Sequence, residues 1–369
     1  MSKKYQYKYP LATPDLQGNE LSYVTDCINS GWISSKGKYV SRFEEQFADF
    51  CNTRFAIAVT NGTAGLHLAL LASGIGSGDE VIVPSLSFIA TANAVSFVGA
   101  KPVFVDCDPE TWTMDPEQFR LALTEKTKAV IPVHLYGYPA DMKEISALAK
   151  KNELIVIEDA AEAHGAEFEK KTVGGLGDIG VFSFFANKIV TTGEGGMVVT
   201  NDEYLASRIR LLRDHGMAED IRYWHPVLGY NYRLTNLQAA VGVAQMERIS
   251  QIIDKKIAIA EQYRQFLSVS PKIQFQPENN LVKNVYWLFS ILIGRDFSVS
   301  RDRLVSHLQN KGIETRPFFI PIHQQPIYNQ NKCLPVCEDI SARGLSLPLS
   351  TSLSVGDTGA ITKAILELA

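Results

Sequence analysis

The fold of this 369-residue chain is decided by the stretch Leu154-Ile-Val-Ile-Glu-Asp-Ala-Ala-Glu-Ala-His-Gly165. Its four leading apolar residues predict a short buried strand that places Asp159 at its C-terminal end. Open α/β sheets bind their ligands beyond that end of the strands, so Asp159 is a candidate site residue. An alanine-rich segment follows, and helix N-capping by Asp159 is therefore the alternative interpretation.

Outward from this strand, residues 55–200 alternate short β-rich runs with helix-like segments. We predict strands at 55–59, 80–84, 102–106, 128–134 and 154–158, and helices at 63–73, 88–99, 116–123 and 141–151. Two further apolar runs, 180–185 and 196–200, predict a hairpin-like pair of strands. Alternation of this kind indicates a mainly parallel sheet wrapped by helices.

Several polar or aromatic side chains lie at or just beyond the ends of these predicted strands, namely Asn61, Phe88, Asp106, His134 and Asp159. This position alone makes each of them a candidate for the ligand-binding edge. Asp106 comes shortly before an Asp-Pro pair, so we expect it to serve turn formation. We expect His134 to be a hydrogen-bonded structural histidine.

Lys188 lies between the two hairpin-like strands, in Ser183-Phe-Phe-Ala-Asn-Lys188 and shortly before Gly193-Glu-Gly-Gly196. A loop lysine is usually a solvated charge, but the apolar strand and the glycine-rich turn restrain this amine. A lysine kept partly neutral attacks carbonyl carbons, most commonly to form a Schiff base with pyridoxal phosphate. That cofactor needs a carboxylate at its protonated ring nitrogen, and Asp159 fits this role.

The phosphate of such a cofactor requires backbone amides at a helix N-terminus, and the turn Thr60-Asn-Gly-Thr-Ala64 is a candidate. It joins the strand 55–59 to a helix-patterned segment, an arrangement typical of anion cradles. Asn-Gly is also an ordinary turn signal. Ser183 is a candidate hydroxyl donor to the same phosphate. Phe88 is a candidate to stack on the ring, although a lone aromatic is more often a core residue.

Four motifs in one register resemble the DegT/DnrJ/EryC1/StrS family of sugar aminotransferases: Asn61–Thr63, Glu158–His164, Ser183–Gly196 and Gly229–Arg233. The resemblance runs from about Gly31 to the C-terminus. It implies the fold-type I pyridoxal phosphate architecture, an α/β fold in which helices sandwich a mixed, mostly parallel seven-stranded sheet. It also implies a small α+β C-terminal domain and a homodimer with its active sites at the subunit interface.

We expect a large cofactor-binding domain over residues 1–245, which includes the N-terminal arm, and a small domain over residues 246–369. A long helix from Asn236 to about Phe266 is predicted to link them. Further elements are predicted beyond it: a strand at 285–293, a helix at 301–309, a short strand at 312–316 and a closing helix at 355–368.

The motif match also carries over residue roles. It implies that Lys188 forms the Schiff base, that Asp159 is the partner of the pyridinium nitrogen, and that Gly62, Thr63 and Ser183 hold the phosphate. Asn231 is expected to reach the phosphate across the dimer interface. The substrate contacts that it implies are Trp32, Ser34, Ser35, Lys36, Tyr286, Trp287, Arg316 and His323.

Glu162 stands where many members of the family carry glutamine near the phenolic oxygen of the cofactor. A carboxylate facing a phenolate is repelled unless one of them is protonated or Glu162 turns to another donor. The sequence leaves these possibilities open, and a solvated helix residue is the remaining alternative.

The resemblance implies transfer of an amino group from L-glutamate to the C4 ketone of a nucleotide-linked 4-keto-6-deoxy sugar. The segments Gly31–Gly37, Tyr223–Asn236 and Glu314–His323 favour a GDP-linked mannose derivative. A UDP- or dTDP-linked keto sugar is the alternative substrate. In dehydratases of the family histidine replaces the lysine, so Lys188 argues against that activity. The presence of both Lys188 and Asp159 argues against a non-catalytic regulator.

Composition fits an ordinary globular enzyme, with 46% hydrophobic and 21% charged residues. A net charge of −4 and the lack of a long basic run make nucleic acid an unexpected partner. The N-terminus lacks a signal-peptide core and no apolar run reaches the length of a membrane span, so we expect a cytoplasmic protein. Five scattered cysteines suit a reducing compartment, and Cys333 with Cys337 lacks the second ligand pair of a metal site.

Overall fold

The structure, a computed structural model, describes residues 7–329 and 332–369. Its strands in chain order are β1 (Phe55–Val59), β2 (Glu80–Pro84), β3 (Lys101–Val105), β4 (Thr127–Val130), β5 (Ile155–Asp159), β6 (Glu167–Phe168), β7 (Lys171–Thr172), β8 (Ile179–Ser183), β9 (Gly196–Thr200), β10 (Ile273–Gln274), β11 (Val282–Lys283), β12 (Phe289–Ile293), β13 (Arg316–Pro317) and β14 (Gly344–Leu347).

The α-helices in chain order are α1 (Glu20–Ser30), α2 (Lys38–Cys51), α3 (Gly62–Ala72), α4 (Ala90–Phe97), α5 (Pro116–Leu121), α6 (Met142–Lys151), α7 (Glu203–Arg213), α8 (Asn236–Met246), α9 (Ile249–Leu267), α10 (Arg301–Asn310), α11 (Pro335–Arg343) and α12 (Val355–Leu366). Two 3₁₀ turns lie at Leu135–Gly137 and Ile322–Gln324. In the ranges that the structure describes, no helix combines the length and the apolar character needed to cross a membrane.

The central sheet has seven strands in the order β1-β9-β8-β5-β4-β2-β3. β9 pairs antiparallel with both of its neighbours. The pairings from β8 through to β3 are all parallel. The sheet is therefore mixed and mostly parallel, as the alternating sequence pattern and the resemblance predict, and the carboxyl ends of β1, β2, β5 and β8 meet at one edge.

Both faces of this sheet are buried, which explains why its strands are nearly continuous apolar runs. In β2, Val81 and Val83 belong to a core shared with α3, whereas Ile82 belongs to a second core shared with α5 and α6. Neighbouring residues of a strand point to opposite faces, so helices cover the sheet on both sides.

A smaller antiparallel sheet, in the order β10-β12-β14-β13, carries the C-terminal part of the chain. Its core joins Tyr263 of α9, Phe289 of β12, Leu304 of α10 and Ile361 of α12. Tyr9 of the N-terminal arm enters the same core and bridges to residue 313. The domain boundary at residues 245 and 246 stays a prediction, and the nearest break between helices lies after Met246.

The single long helix predicted from Asn236 to about Phe266 is wrong, because the chain forms α8 and α9 with a break between them. Arg248 leaves the helical region, with φ −123° and ψ 3°. An ion pair of 2.9 Å from Arg248 to Asp15 holds the chain at this break. A tertiary contact with the N-terminal arm thus overrides a helical pattern that is continuous in sequence.

Three predicted strands are shorter than the sequence pattern indicates. β4 ends at Val130 rather than at 134, because Pro132 has no N–H with which to continue a ladder. β12 begins only at Phe289, since Tyr286 has a positive φ of 49° that an extended strand does not allow. The strand predicted at 312–316 forms only as Arg316–Pro317, because Ile313 bridges to the N-terminal arm instead.

Asp106 does not serve the turn chemistry that we expected from its sequence context. Its carboxylate accepts from the amides of Val336 at 3.0 Å and Cys337 at 2.7 Å. These amides begin α11, where unsatisfied N–H groups favour a negative charge. Asp106 therefore fastens the end of β3 to a helix from the C-terminal part of the chain.

Glu158 is fully buried and fixes the end of β5 beside Asp159. Its carboxylate accepts from the backbone amides of residues 174, 176 and 177, each at 2.7 Å, and from His134 Nε2 at 2.9 Å. His134 Nδ1 accepts from the Ala140 amide at 3.1 Å, so Nε2 carries the hydrogen and donates it. The prediction of a structural histidine is confirmed.

Replacing this carboxylate should destabilise the fold. In Glu158→Gln either orientation of the amide turns an NH₂ group toward backbone or histidine donors, and we expect a loss of about 3 kcal/mol of unfolding free energy. The control is Glu167→Gln, which removes a half-exposed ion pair to Lys283 and should cost less than about 1 kcal/mol. Urea unfolding measures both, and equal losses would contradict the assigned role of Glu158.

Candidate active site

A cavity of about 600 Å³ lies at the carboxyl edge of the central sheet. Residues from strand ends, the α3 start and the C-terminal part of the chain line it together. Nine of the residues predicted to act in the site surround this one cavity: Gly62, Thr63, Phe88, Asp159, Glu162, Ser183, Lys188, Trp287 and Arg316. The sequence separations among them show that the sheet topology, rather than local sequence, assembles the site.

The turn after β1 forms part of the wall of the cavity. Asn61 caps α3 by accepting from the Ala64 amide at 2.8 Å, which fixes the direction of the first helical turn. The first amides of a helix have no acceptor inside the helix and attract anions. A Cβ on Gly62 would lie 3.1 Å from the Cβ of Ser183, a contact tighter than is usual, so the two residues approach closely here.

Asp159 is the last residue of β5 and is only 6% exposed. The alternative that it caps a helix is wrong, because turns and not a helix follow β5. One carboxylate oxygen accepts from the Ala161 amide at 3.2 Å and the other from the Thr91 hydroxyl at 2.8 Å. Burial raises the pKa of Asp159, and these two hydrogen bonds and the charge of Lys188 oppose that rise.

The side chain of Lys188 lines the cavity and is 11% exposed. Its Nζ lies 3.8 Å from Glu162 Oε1 and 3.8 Å from the centre of the Trp287 ring. Burial lowers the pKa of Lys188, while the carboxylates of Glu162 and Asp159 act in the opposite direction. A lysine that loses its proton more readily is a better nucleophile toward carbonyl carbons.

Glu162 is 5% exposed, so the alternative of a solvated helix residue is wrong. Its Oε2 accepts from the Tyr136 amide at 2.8 Å, which is the other donor that the sequence left open. Tyr136 has a positive φ of 58°, a backbone shape that turns this amide toward the site. Burial raises the pKa of Glu162 to about 7, against the nearby charge of Lys188.

The other predicted substrate contacts do not line this cavity. Trp32, Ser35 and Lys36 line a second cavity of about 700 Å³ that also includes Arg213 and Asn236. The carbonyl of Ser34 accepts from the Asn236 amide at 2.7 Å, which holds the loop before α2 in place. Within one chain, five of the predicted substrate residues are therefore divided between two cavities, with Trp287 and Arg316 in the first and Trp32, Ser35 and Lys36 in the second.

His323 is not available as a direct substrate contact, which corrects the expectation from sequence. It is 2% exposed, and its Nδ1 lies 2.7 Å from Ser85 Oγ while its Nε2 lies 3.1 Å from Glu338 Oε1. Both ring nitrogens are thus occupied by the protein. His323 joins the end of β2 to α11 and holds the segment that carries Phe88.

Asn231 and Tyr286 are also outside the lining of both cavities in the part of the chain that the structure describes. The Asn231 side chain accepts from the Arg233 guanidinium at 3.0 Å. The Tyr286 amide donates to Asn284 Oδ1 at 2.9 Å, and its ring packs near Phe289. The expected contact of Asn231 across a subunit interface stays a prediction.

The raised pKa of Glu162 gives a stability signature in the cofactor-free protein. Because its folded-state pKa lies above the ordinary value of 4.5, its contribution is fully present below that pH and is lost as the pH rises through about 7. As the pH rises from acidic to mildly alkaline, the unfolding free energy of Glu162→Gln should therefore increase by up to about 3 kcal/mol relative to that of the wild type. Thermal unfolding across this range measures the difference.

The matched control is Glu125→Gln, which changes an exposed glutamate. Its unfolding should follow the pH dependence of the wild type. If Glu162→Gln also follows the wild type at every pH, then Glu162 is not held in the environment described here.

Comparison with known proteins agrees with this geometry. The chain is 48% identical over 346 residues to GDP-perosamine synthase of Escherichia coli O157:H7, which covers 94% of each chain. It is 46% identical over 358 residues to GDP-perosamine synthase of Caulobacter vibrioides, which covers 96% of each chain.

A solved structure of S. venezuelae DesV in complex with a ketimine intermediate superposes with a TM-score of 0.89 at 36% identity, and covers 95% of this chain and 94% of that one. The model of the DegT/DnrJ/EryC1/StrS aminotransferase family matches residues 14–366. On this match and on the identity to these relatives, the chain belongs to the DegT/DnrJ/EryC1/StrS aminotransferase family.

Proposed function

We propose that the protein is a pyridoxal phosphate-dependent nucleotide-sugar 4-aminotransferase. In this proposal it transfers an amino group from L-glutamate to GDP-4-keto-6-deoxy-D-mannose and forms GDP-perosamine for surface polysaccharide (O-antigen) synthesis. The observation that carries the proposal is the meeting of the Lys188 amine and the Asp159 carboxylate in one buried cavity. The names of the two bacterial relatives support the choice of sugar nucleotide.

The residues of the first cavity fit this cofactor in chemistry and arrangement. Lys188 would hold its aldehyde carbon, and Asp159 would hold its ring nitrogen. The amides at Gly62 and Thr63, with the Ser183 hydroxyl, would receive its phosphate. Phe88, at the mouth of the cavity and 56% exposed, is free to cover the ring.

Pyridoxal phosphate, when bound, supplies an electron sink that stabilises negative charge on the carbon that loses a proton. Lys188 Nζ is the base of this site: it removes the proton from Cα of glutamate and later delivers one to C4 of the sugar. Its lowered pKa suits both duties, since the amine must be neutral to accept and then charged to donate. An ionised Asp159 would hold the proton on the ring nitrogen.

Two residues of the C-terminal part of the chain complete the cavity. The Trp287 indole Nε1 donates to the carbonyl of Asn187 at 2.7 Å, so its ring covers Lys188 from a fixed position. This cover excludes water from the amine. Arg316 adds a positive charge to the same cavity. A glutamate carboxylate or a substrate phosphate is the natural partner of that guanidinium.

A ketone at sugar C4 carries no charge, so binding energy must come from the distant nucleotide and pyrophosphate. Lys36, with Trp32 and Ser35 in the second cavity, suits this task by charge and by aromatic surface. These groups can act on the same substrate as Lys188 only if the second cavity of one chain lies next to the first cavity of another chain. We therefore propose a homodimer in which one subunit completes the site of the other.

The surface of the single chain supports association. Large apolar side chains are unusually exposed on it, including Trp32 at 59%, Trp224 at 61% and Leu228 at 84%. Exposed apolar surface of this kind marks interaction sites. We also propose a cytoplasmic location, which is supported by five cysteines that are all free thiols.

A substrate panel tests the proposed function. Purified protein with L-glutamate should aminate GDP-4-keto-6-deoxymannose with a kcat/KM at least about tenfold above that for the dTDP- and UDP-linked 4-keto-6-deoxy sugars. Lys188→Ala is the control, and loss of its proton-transfer base should lower kcat by about 10³-fold or more. Mass spectrometry of the amino sugar measures each rate.

Three results would contradict the proposal, the first two in part and the third as a whole. Equal or faster turnover of a dTDP- or UDP-linked sugar would overturn the GDP assignment. Normal turnover by Lys188→Ala would overturn the mechanism. No transfer to any sugar nucleotide would overturn the proposed function itself.

A further inference from the structure

Two buried hydroxyls, those of Thr91 and Ser87, are linked to Asp159 by hydrogen bonds, and neither was among the residues expected from sequence. Thr91 is 0% exposed and Ser87 is 3% exposed. Their oxygens lie 3.1 Å apart, and the Thr91 hydroxyl lies 2.8 Å from Asp159 Oδ2. The three side chains thus form a continuous hydrogen-bonded row that ends on the carboxylate.

The direction of these hydrogen bonds follows from the number of hydrogens. Thr91 has one hydroxyl hydrogen and three possible acceptors within reach: Asp159 Oδ2 at 2.8 Å, Ser87 Oγ at 3.1 Å and the Phe88 carbonyl at 3.3 Å. A hydrogen bond to an ionised acceptor is the shorter and stronger one, so the hydrogen goes to Asp159. Ser87 then donates to Thr91 Oγ1, and this second bond holds the Thr91 hydroxyl in that orientation.

Apart from the nearby charge of Lys188, hydrogen bonds stabilise the charge of Asp159. In the ranges 7–329 and 332–369, its carboxylate accepts from the Thr91 hydroxyl and the Ala161 amide and takes part in no ion pair. A buried carboxylate without such donors takes up a proton instead of staying ionised. The Thr91 bond is the shorter of the two, at 2.8 Å against 3.2 Å.

We propose that Thr91 is a positioning residue for the transamination. Its hydroxyl fixes the rotamer of Asp159 and keeps that carboxylate ionised, so that Asp159 can hold a proton on the ring nitrogen of the cofactor. This inference rests on the proposed function of the cavity. Ser87 supports the arrangement by fixing the Thr91 hydroxyl.

The placement of Thr91 suits such a role, because it lies on a rigid element. Thr91 is the second residue of α4, and Asn93 of the same helix accepts from the Tyr328 hydroxyl at 2.9 Å. Ser85, just before this segment, is held by His323 at 2.7 Å. Contacts from the C-terminal part of the chain therefore hold the backbone that presents Thr91 to Asp159.

A purely structural role for Thr91 makes a different prediction, and a set of variants separates the two. Thr91→Val keeps the shape and removes the hydroxyl, whereas Thr91→Ser keeps the hydroxyl. Thr362→Val is the matched control, since Thr362 is a buried threonine of α12 whose hydroxyl bonds within its own helix. Asp159→Asn removes the group through which Thr91 is proposed to act.

The readouts are the dissociation constant of pyridoxal phosphate, measured by fluorescence titration, and kcat with KM. Thr91→Val should weaken cofactor binding and lower kcat by about tenfold to a hundredfold, with the sugar-nucleotide KM unchanged. Thr91→Ser should stay within about threefold of the wild type. In the Asp159→Asn background, Thr91→Val should cause little further loss in either quantity, because it acts through the same carboxylate.

Two results would overturn the inference: a Thr91→Val that behaves like Thr362→Val, or a Thr91→Val loss that appears in full in the Asp159→Asn background. The wild type in the same experiment reports separately on the proposed function. A wild type that binds no pyridoxal phosphate contradicts the function, whereas a wild type that binds it beside an unaffected Thr91→Val contradicts only the role of Thr91.

Discussion

The structure depends on keeping three ionisable groups close together in a place that water scarcely reaches. Lys188, Asp159 and Glu162 are each nearly buried and share one cavity. Burial alone would favour the neutral form of all three groups. The positive charge of Lys188 stabilises the two carboxylates, and the two carboxylates stabilise the charge of Lys188. This balance leaves the amine of Lys188 able to gain and lose a proton. It lies near Asp159, the carboxylate that we propose as the partner of the ring nitrogen of the cofactor. The sheet, the helix caps and the Glu158 network all hold these groups in place.

Much of the large fold could be predicted from the sequence, because buried parallel strands are short apolar runs bounded by turns. The predicted strands at 55–59, 80–84 and 196–200 match the structure residue for residue. The predictions that are wrong fall in regions where contacts with distant residues determine the backbone conformation. The break at Arg248 and the pairing of Ile313 with the N-terminal arm each depend on residues far away in sequence.

The site shows the same division. The residues that line the cavity carry recognisable motifs, since the proposed nucleophile, the proposed carboxylate and the proposed phosphate-binding turn each lie at or just after a strand end. The residues that hold these cavity-lining side chains by hydrogen bonds carry no such signal. Thr91 lies inside an alanine-rich helix, and Tyr136 reaches Glu162 only through its backbone amide. The motif match implies His323 as a substrate contact, and only the structure reveals that protein groups occupy both of its ring nitrogens.

We propose that the position of Lys188, and not the reactivity of its amine alone, selects it as the lysine that binds the cofactor. Lys256 makes this claim testable, because burial also lowers its pKa to about 7, but it lies outside the cavity and donates to the Leu349 carbonyl. The most direct measurement is borohydride reduction of the protein with pyridoxal phosphate, followed by proteolysis and mass spectrometry. The account predicts the phosphopyridoxyl label on Lys188 alone. A label on Lys256 or on another lysine, or no label at all, would contradict it.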